Sequence, residues 1–163
     1  MPGPLTFDGV SYLLAWSAQS SPTYTKQEYV PADQTLERYV SMVMVEVVTI
    51  NMTVAQAMSA QIRSLNARKA KDPLVNFGAV LNDKTGEAIL DFIVSGQTDV
   101  GQRIAEWNGY RYVPKPNGGV MLFAISRRAY GDTDIRPFLA KLKADRAGFI
   151  NRLAQYKFPD ARN

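Results

Sequence analysis

The chain has 163 residues, 46% of them hydrophobic, and a formal net charge of +4 from 19 basic and 15 acidic side chains. It contains neither histidine nor cysteine, which removes Ser-His-Asp and Cys-His nucleophile systems and the ordinary zinc, copper and haem ligand sets; carboxylate, lysine, tyrosine and arginine chemistry is what remains. This length and apolar content fit a single domain over residues 1–163 that buries its own core, with about 1–9 and 158–163 expected to be loosely ordered.

In chain order, residues 11–18 and 24–30 are strand candidates around a polar turn with Ser20, Ser21 and Pro22, and form a hairpin whose second strand ends at Pro31. Leu36, Tyr39, Val40, Val43 and Val47 then fall at helical spacing and predict a helix, but the run Met42–Val48 is rich in β-branched residues, so helix and strand both stay open there. Thr53 and Gln56 have capping-box spacing, which predicts a helix with Val54, Met58, Ile62 and Leu65 on one face, stopped by Asp72-Pro73. Met52 and Met58 are expected to fill core space.

From Leu74 the apolar period becomes two. Phe77, Ala79 and Leu81 precede the turn Asn82–Gly86, and Ala88, Leu90, Phe92 and Val94 follow it, a clear hairpin. A second joins Ile104–Val113 to Val120–Ser126 across the turn Pro114–Gly119. Ile135, Phe138, Leu139, Leu142, Phe149, Ile150 and Leu153 mark one face of a final helix, capped by Asp132 or Asp134, with Pro137 placed in its first turn. The order predicts an α+β fold with one mostly antiparallel sheet of about six strands in meander order, packed with helices.

Each candidate chemical motif has a simpler structural explanation. Lys84-Thr85-Gly86 matches part of the signature of penicillin-recognising serine enzymes, but the Ser-x-x-Lys and Ser-Asp-Asn partners are missing and a hairpin turn accounts for it. Asp132-Thr133-Asp134 is better explained as a helix cap than as a cation site. Asp91 and Glu106 are the least unfavourable carboxylate pair for acid/base hydrolysis, provided their strands bring them together; solvent-facing strand positions are the alternative. Gly118-Gly119 is a turn, as no helix or lysine follows to make a phosphate loop. No cofactor or metal is expected.

Trp107, Tyr110, Arg111, Tyr112, Arg127, Arg128 and Tyr130 gather on neighbouring strand ends, and aromatics with arginines are the types enriched at protein interfaces. They form the candidate binding surface, against the alternatives of an aromatic sheet packed under the final helix and of a small-ligand site. Basic residues come in scattered pairs (Arg68-Lys69, Arg127-Arg128, Lys141 with Lys143) with no nucleic-acid module, so nucleic acid is not an expected partner. The apolar run Met42–Val45 is cut by Glu46, and no run approaches the roughly 20 residues of a membrane span.

The stretch Glu28-Tyr29-Val30-Pro31-Ala32-Asp33-Gln34-Thr35-Leu36-Glu37-Arg38-Tyr39, the paired hairpins, Glu106–Tyr112 and Ser126–Asp132 before a long last helix resemble uncharacterised proteobacterial proteins. The likeness runs over about residues 10–155 in element order. It implies the PsbP-like α/β/α sandwich, whose members are mainly binding proteins: an extrinsic photosystem subunit, a Ran-binding import factor and effector chaperones of type VI secretion. None of their functional motifs occurs here, so no functional residue is carried over. The resemblance implies a non-enzymatic protein-binding or adaptor domain, chaperone- or immunity-like, with a protein partner. It tilts localisation toward the periplasm or cell envelope with an export signal removed, the cytoplasm being the alternative. A carboxylate-dependent hydrolase or a small-ligand-binding protein is the competing expectation.

Overall fold

The computed structural model describes residues 3–157; of the loose ends expected at about 1–9 and 158–163, residues 1–2 and 158–163 lie outside them, while 5–7 form a strand with Leu5 and Phe7 buried. Its elements are β1 (Leu5–Phe7), β2 (Val10–Ser21), β3 (Tyr24–Val30), β4 (Ser41–Val48), α1 (Val54–Lys69), β5 (Asn76–Asn82), β6 (Glu87–Gln97), β7 (Arg103–Pro114), β8 (Val120–Tyr130) and α2 (Gly131–Gln155). All three expected hairpins form, as β2–β3, β5–β6 and β7–β8.

The PsbP-like α/β/α sandwich of about six strands is not what the chain builds. It builds an eight-stranded antiparallel sheet, order β1-β2-β3-β4-β8-β7-β6-β5, curled into a half-barrel. Strand takes up 46% of the described residues and two helices attend it among them, so much of the β2–β3 end has no helical cover. The two additional strands have different origins. β1 is three residues long, too short to show a period, yet Leu5 and Phe7 are buried. No helix forms over 36–40, and β4 makes a strand of Met42–Val48, which the sequence leaves open between helix and strand. It is a central strand with Met42, Val43, Met44 and Val45 all buried, and a strand covered on both faces loses the alternation that identifies strands.

The curl shows in contacts that skip across the sheet. Three strands separate β1 from β8, yet the Phe7 and Phe123 rings lie 5.7 Å apart. The Tyr12 hydroxyl is 2.6 Å from Ser41 Oγ on β4. The concave face holds Tyr12, Tyr29, Val43, Val45, Trp107, Phe123 and Ile125 against Phe149 and Leu153 of α2. The opposite face packs Met44, Leu90, Phe92, Tyr112 and Leu122 against Val54 and Leu65 of α1. Gly109 permits the approach of α2, since a Cβ there would lie 2.9 Å from the Trp107 ring and 3.1 Å from a Leu153 methyl.

The expected capping box of α1 is present: Gln56 N donates to Thr53 Oγ1 at 3.1 Å, and Thr53 N donates to Gln56 Oε1 at 2.9 Å. The cap of α2 differs from expectation. Tyr130 is the N-cap and contributes no side-chain bond, while Asp132 and Asp134 sit in the first turn, where their charge suits the helix dipole. Asp132 is instead held by Arg103 at 2.9 Å. Pro137 consequently lies inside the helix and not in its first turn.

The β7–β8 turn depends on Gly119, whose φ of +92° belongs to the left-handed region and whose Cβ would overlap the Val48 carbonyl. Gly119→Ala is therefore expected to destabilise the fold by about 2 kcal/mol, read as a lower urea midpoint with unchanged m-value.

Candidate binding surfaces

The sequence-predicted surface residues do not form one patch, because successive strand residues face opposite sides. Trp107, Arg111 and Arg127 lie on the α2 face, whereas Tyr110, Tyr112, Arg128 and Tyr130 lie on the α1 face. On the α2 face Trp107 is 1% exposed and donates through Nε1 to Asp91 at 3.2 Å. Arg111 pairs with Glu87 and donates to the Leu153 and Tyr156 carbonyls at 3.2 and 2.7 Å, satisfying the C-terminus of α2. Arg127 lies over the Phe149 ring and donates to Asp8.

On the α1 face Tyr110 packs edge-on against Phe92 and Tyr112. The Tyr130 hydroxyl donates to the Tyr39 carbonyl at 2.8 Å. Arg128 forms an ion pair with Glu106 and covers the Tyr39 ring, its Cζ 4.1 Å from the centroid. Tyr39 OH donates to Glu106 Oε2 at 2.7 Å, Asn108 Nδ2 donates to Glu106 Oε1 at 3.1 Å, and Ser126 Oγ donates to Asn108 Oδ1 at 2.6 Å. Burial and the Glu106 carboxylate push the Tyr39 hydroxyl far above its ordinary range. Glu106 and Arg128 of this network line an open cleft of about 590 Å³, together with Arg38, Arg68 and Val100.

The Asp91–Glu106 pair expected for hydrolysis is separated by the sheet. Asp91 faces α2 and takes Arg146 Nε at 2.6 Å and Nη2 at 2.8 Å, while Glu106 faces the other way. The two acids cannot bracket one bond, and each is neutralised by an arginine. Asp72, a helix stop in the sequence, is a second buried acid in addition to Asp91. Burial would raise its pKa, but Ser95 N and Oγ at 2.8 and 2.7 Å, Arg68 and the Leu74 amide hold it below the usual carboxylate range. It ties the end of α1 to β6.

Glu46 is the exception. It lines a cleft of about 320 Å³ under α1, with Tyr110, Tyr112 and Gln61. Burial raises its pKa, partly opposed by the Tyr24 hydrogen bond and by Lys26. Tyr24 in turn is pushed up to about 12 by burial and by Glu46. A raised folded-state pKa favours folding below the ordinary carboxyl range and loses that contribution as pH rises through the folded value.

Strand β2 was expected only as half of a hairpin, but it carries the most exposed apolar surface of the sheet's long strands. Val10, Leu13, Leu14 and Trp16 are 40%, 46%, 43% and 43% exposed. Leu14 sits opposite Tyr29 on the α2 face; after a bulge, Trp16 sits opposite Glu28 on the α1 face. β1 pairs only with Val10–Tyr12, so the outer edge from Ala15 to Ser21 has no strand beside it among the described residues. The signal available in sequence was Leu13-Leu14 next to Trp16 in a strand ending Ser20-Ser21.

A family model matches residues 1–158, and the chain belongs to that family, one of uncharacterised bacterial proteins. No curated protein and no solved structure matches the chain. No helix among the described residues is long and apolar enough to cross a membrane.

Two measurements probe this face. Arg128→Glu, which sets two carboxylates together in a partly buried site, is expected to destabilise by about 3 kcal/mol in urea unfolding. Glu46→Gln is expected to raise the urea midpoint at pH 7, with the gain shrinking as pH falls toward about 4, where the wild-type carboxyl is protonated in both states.

Proposed function

We propose that this protein is a non-enzymatic binding module that receives an extended, apolar segment of a protein partner along β2. The observation that carries this is the exposure of large apolar side chains on both faces of one strand whose outer backbone edge is open. Exposed apolar clusters mark interaction sites, and an open edge offers N–H and C=O groups for strand addition. Register shifts between Leu14 and Trp16 and between Gln19 and Ser21 bracket a regular stretch, Trp16–Gln19, which suits a short added strand. Its apolar side chains would lie beside Trp16 and Leu14. The arginine-neutralised carboxylates Asp72, Asp91 and Glu106 support binding over acid/base catalysis.

A photo-crosslinking residue placed at Ala18 is expected to trap one discrete protein in source cells. Trp16→Ser is expected to abolish that product while changing stability by less than about 0.5 kcal/mol, because the side chain is already exposed. The same probe at Val80, on the other open edge, serves as the control. No product at Ala18, or the same products at Val80, would overturn the proposal.

A further inference from the structure

A second feature stands apart from β2's edge. At the mouth of the half-barrel, where the curl of β1 and β2 meets α2, there is a groove of about 390 Å³, within the roughly 300–1,000 Å³ typical of small-molecule pockets. Its walls are mainly apolar: Val10, Tyr12, Val40, Phe138, Leu142 and Phe149. Val40, at 60% exposed, stands at its rim.

The charged groups around it are unbalanced. Asp8 is the acid in the lining, and it already accepts from Arg127 Nη2 at 3.1 Å and Arg152 Nε at 3.0 Å. Lys141 also lines the groove, is exposed, and has no ion pair among the described residues. The Arg127 guanidinium is laid flat on the Phe149 ring, 4.2 Å from its centroid. Its Nε is the one buried side-chain nitrogen or oxygen among the described residues without a hydrogen-bond partner. That nitrogen is shut off from solvent and does not itself face the groove; Arg127 lines it through its other atoms.

We propose that the groove binds a fatty-acid anion, its alkyl chain against Val40, Phe138 and Leu142 and its carboxylate held by Arg127 and Lys141. Both halves of the ligand are required by the walls. A small inorganic anion leaves the apolar surface wet, a neutral amphiphile leaves Lys141 without a counter-charge, and a cationic amphiphile is repelled by a lining in which Arg127 shares Asp8 with Arg152 and Arg128 is paired with Glu106.

Calorimetric titration of the purified protein with sodium dodecanoate below its micelle concentration tests this, with dodecyltrimethylammonium and acetate as comparisons. One dodecanoate is expected to bind per chain, at least about tenfold tighter than dodecyltrimethylammonium, with no heat from acetate. Lys141→Glu and Val40→Asp, both at exposed positions, are each expected to weaken dodecanoate binding by at least about fivefold while the circular-dichroism melting curve is unchanged. The proposal is overturned by the absence of saturable uptake, by equal affinity for the two headgroups, or by both variants binding within about twofold of the wild type. None of these outcomes depends on whether β2 receives a protein partner.

Discussion

The pairing of β4 with β8 is the constraint on which the rest of the molecule depends. It joins two four-stranded meanders, β1–β4 and β5–β8, in an antiparallel register from Ser41 opposite Arg127 to Val48 opposite Val120. β8 is buried over most of its length and β4 over half of its own, so their register decides which side chains go under α2 and which under α1. A slip of one residue would exchange Phe123 and Ile125 with Leu122 and Ala124, and with them the two cores. The same seam anchors the curl, since Phe7 reaches Phe123 and Asp8 reaches Arg127 only because the β1–β2 end folds back over β8.

Charge is handled consistently across this frame. Arg146 neutralises Asp91, Arg128 neutralises Glu106 and Arg68 neutralises Asp72, each acid being mostly withdrawn from water. Pairing of this kind adds less net stability than its geometry suggests, because desolvation offsets attraction, yet removing one partner is expensive. Arginines that look available for recognition in the sequence are therefore largely occupied: Arg111 holds the end of α2, and Arg128 closes the Tyr39–Glu106 network. Exposed apolar surface lies elsewhere, along β2 where no helix covers it, and Arg127 keeps an unpartnered Nε near Lys141.

The uneven helical cover explains why those surfaces lie where they do. α1 rests mainly on β6 and β7, and α2 on β6, β7 and β8. The β2 side is thus exposed on both faces, and the gap between its curl and α2 becomes the groove. A sandwich with helices spread over the whole sheet would have neither feature. Membership of a bacterial family over residues 1–158 is compatible with a binding role but does not specify one, so the two surfaces carry the functional argument.

What the sequence determined by itself was local. The Thr53–Gln56 capping box, the period-two strands on either side of the Asn82–Gly86 turn and the Pro114–Gly119 turn, and the apolar stripe of the last helix are encoded by neighbours in the chain, and all of them form. The tertiary structure alone decided β4. Leu36, Tyr39, Val40, Val43 and Val47 satisfy helical spacing, but burial on both faces makes a strand of Ser41–Val48 and strips it of alternation. Strand parity then divided the aromatic and arginine cluster of 107–130 between two faces, and it put Asp91 and Glu106 on opposite sides. That Arg127 finds Asp8, 119 positions away, and that its Nε finds no partner follow from contacts between distant parts of the chain. Such contacts leave no periodic trace in a sequence, because they are set by how far the sheet curls and not by the residues on either side.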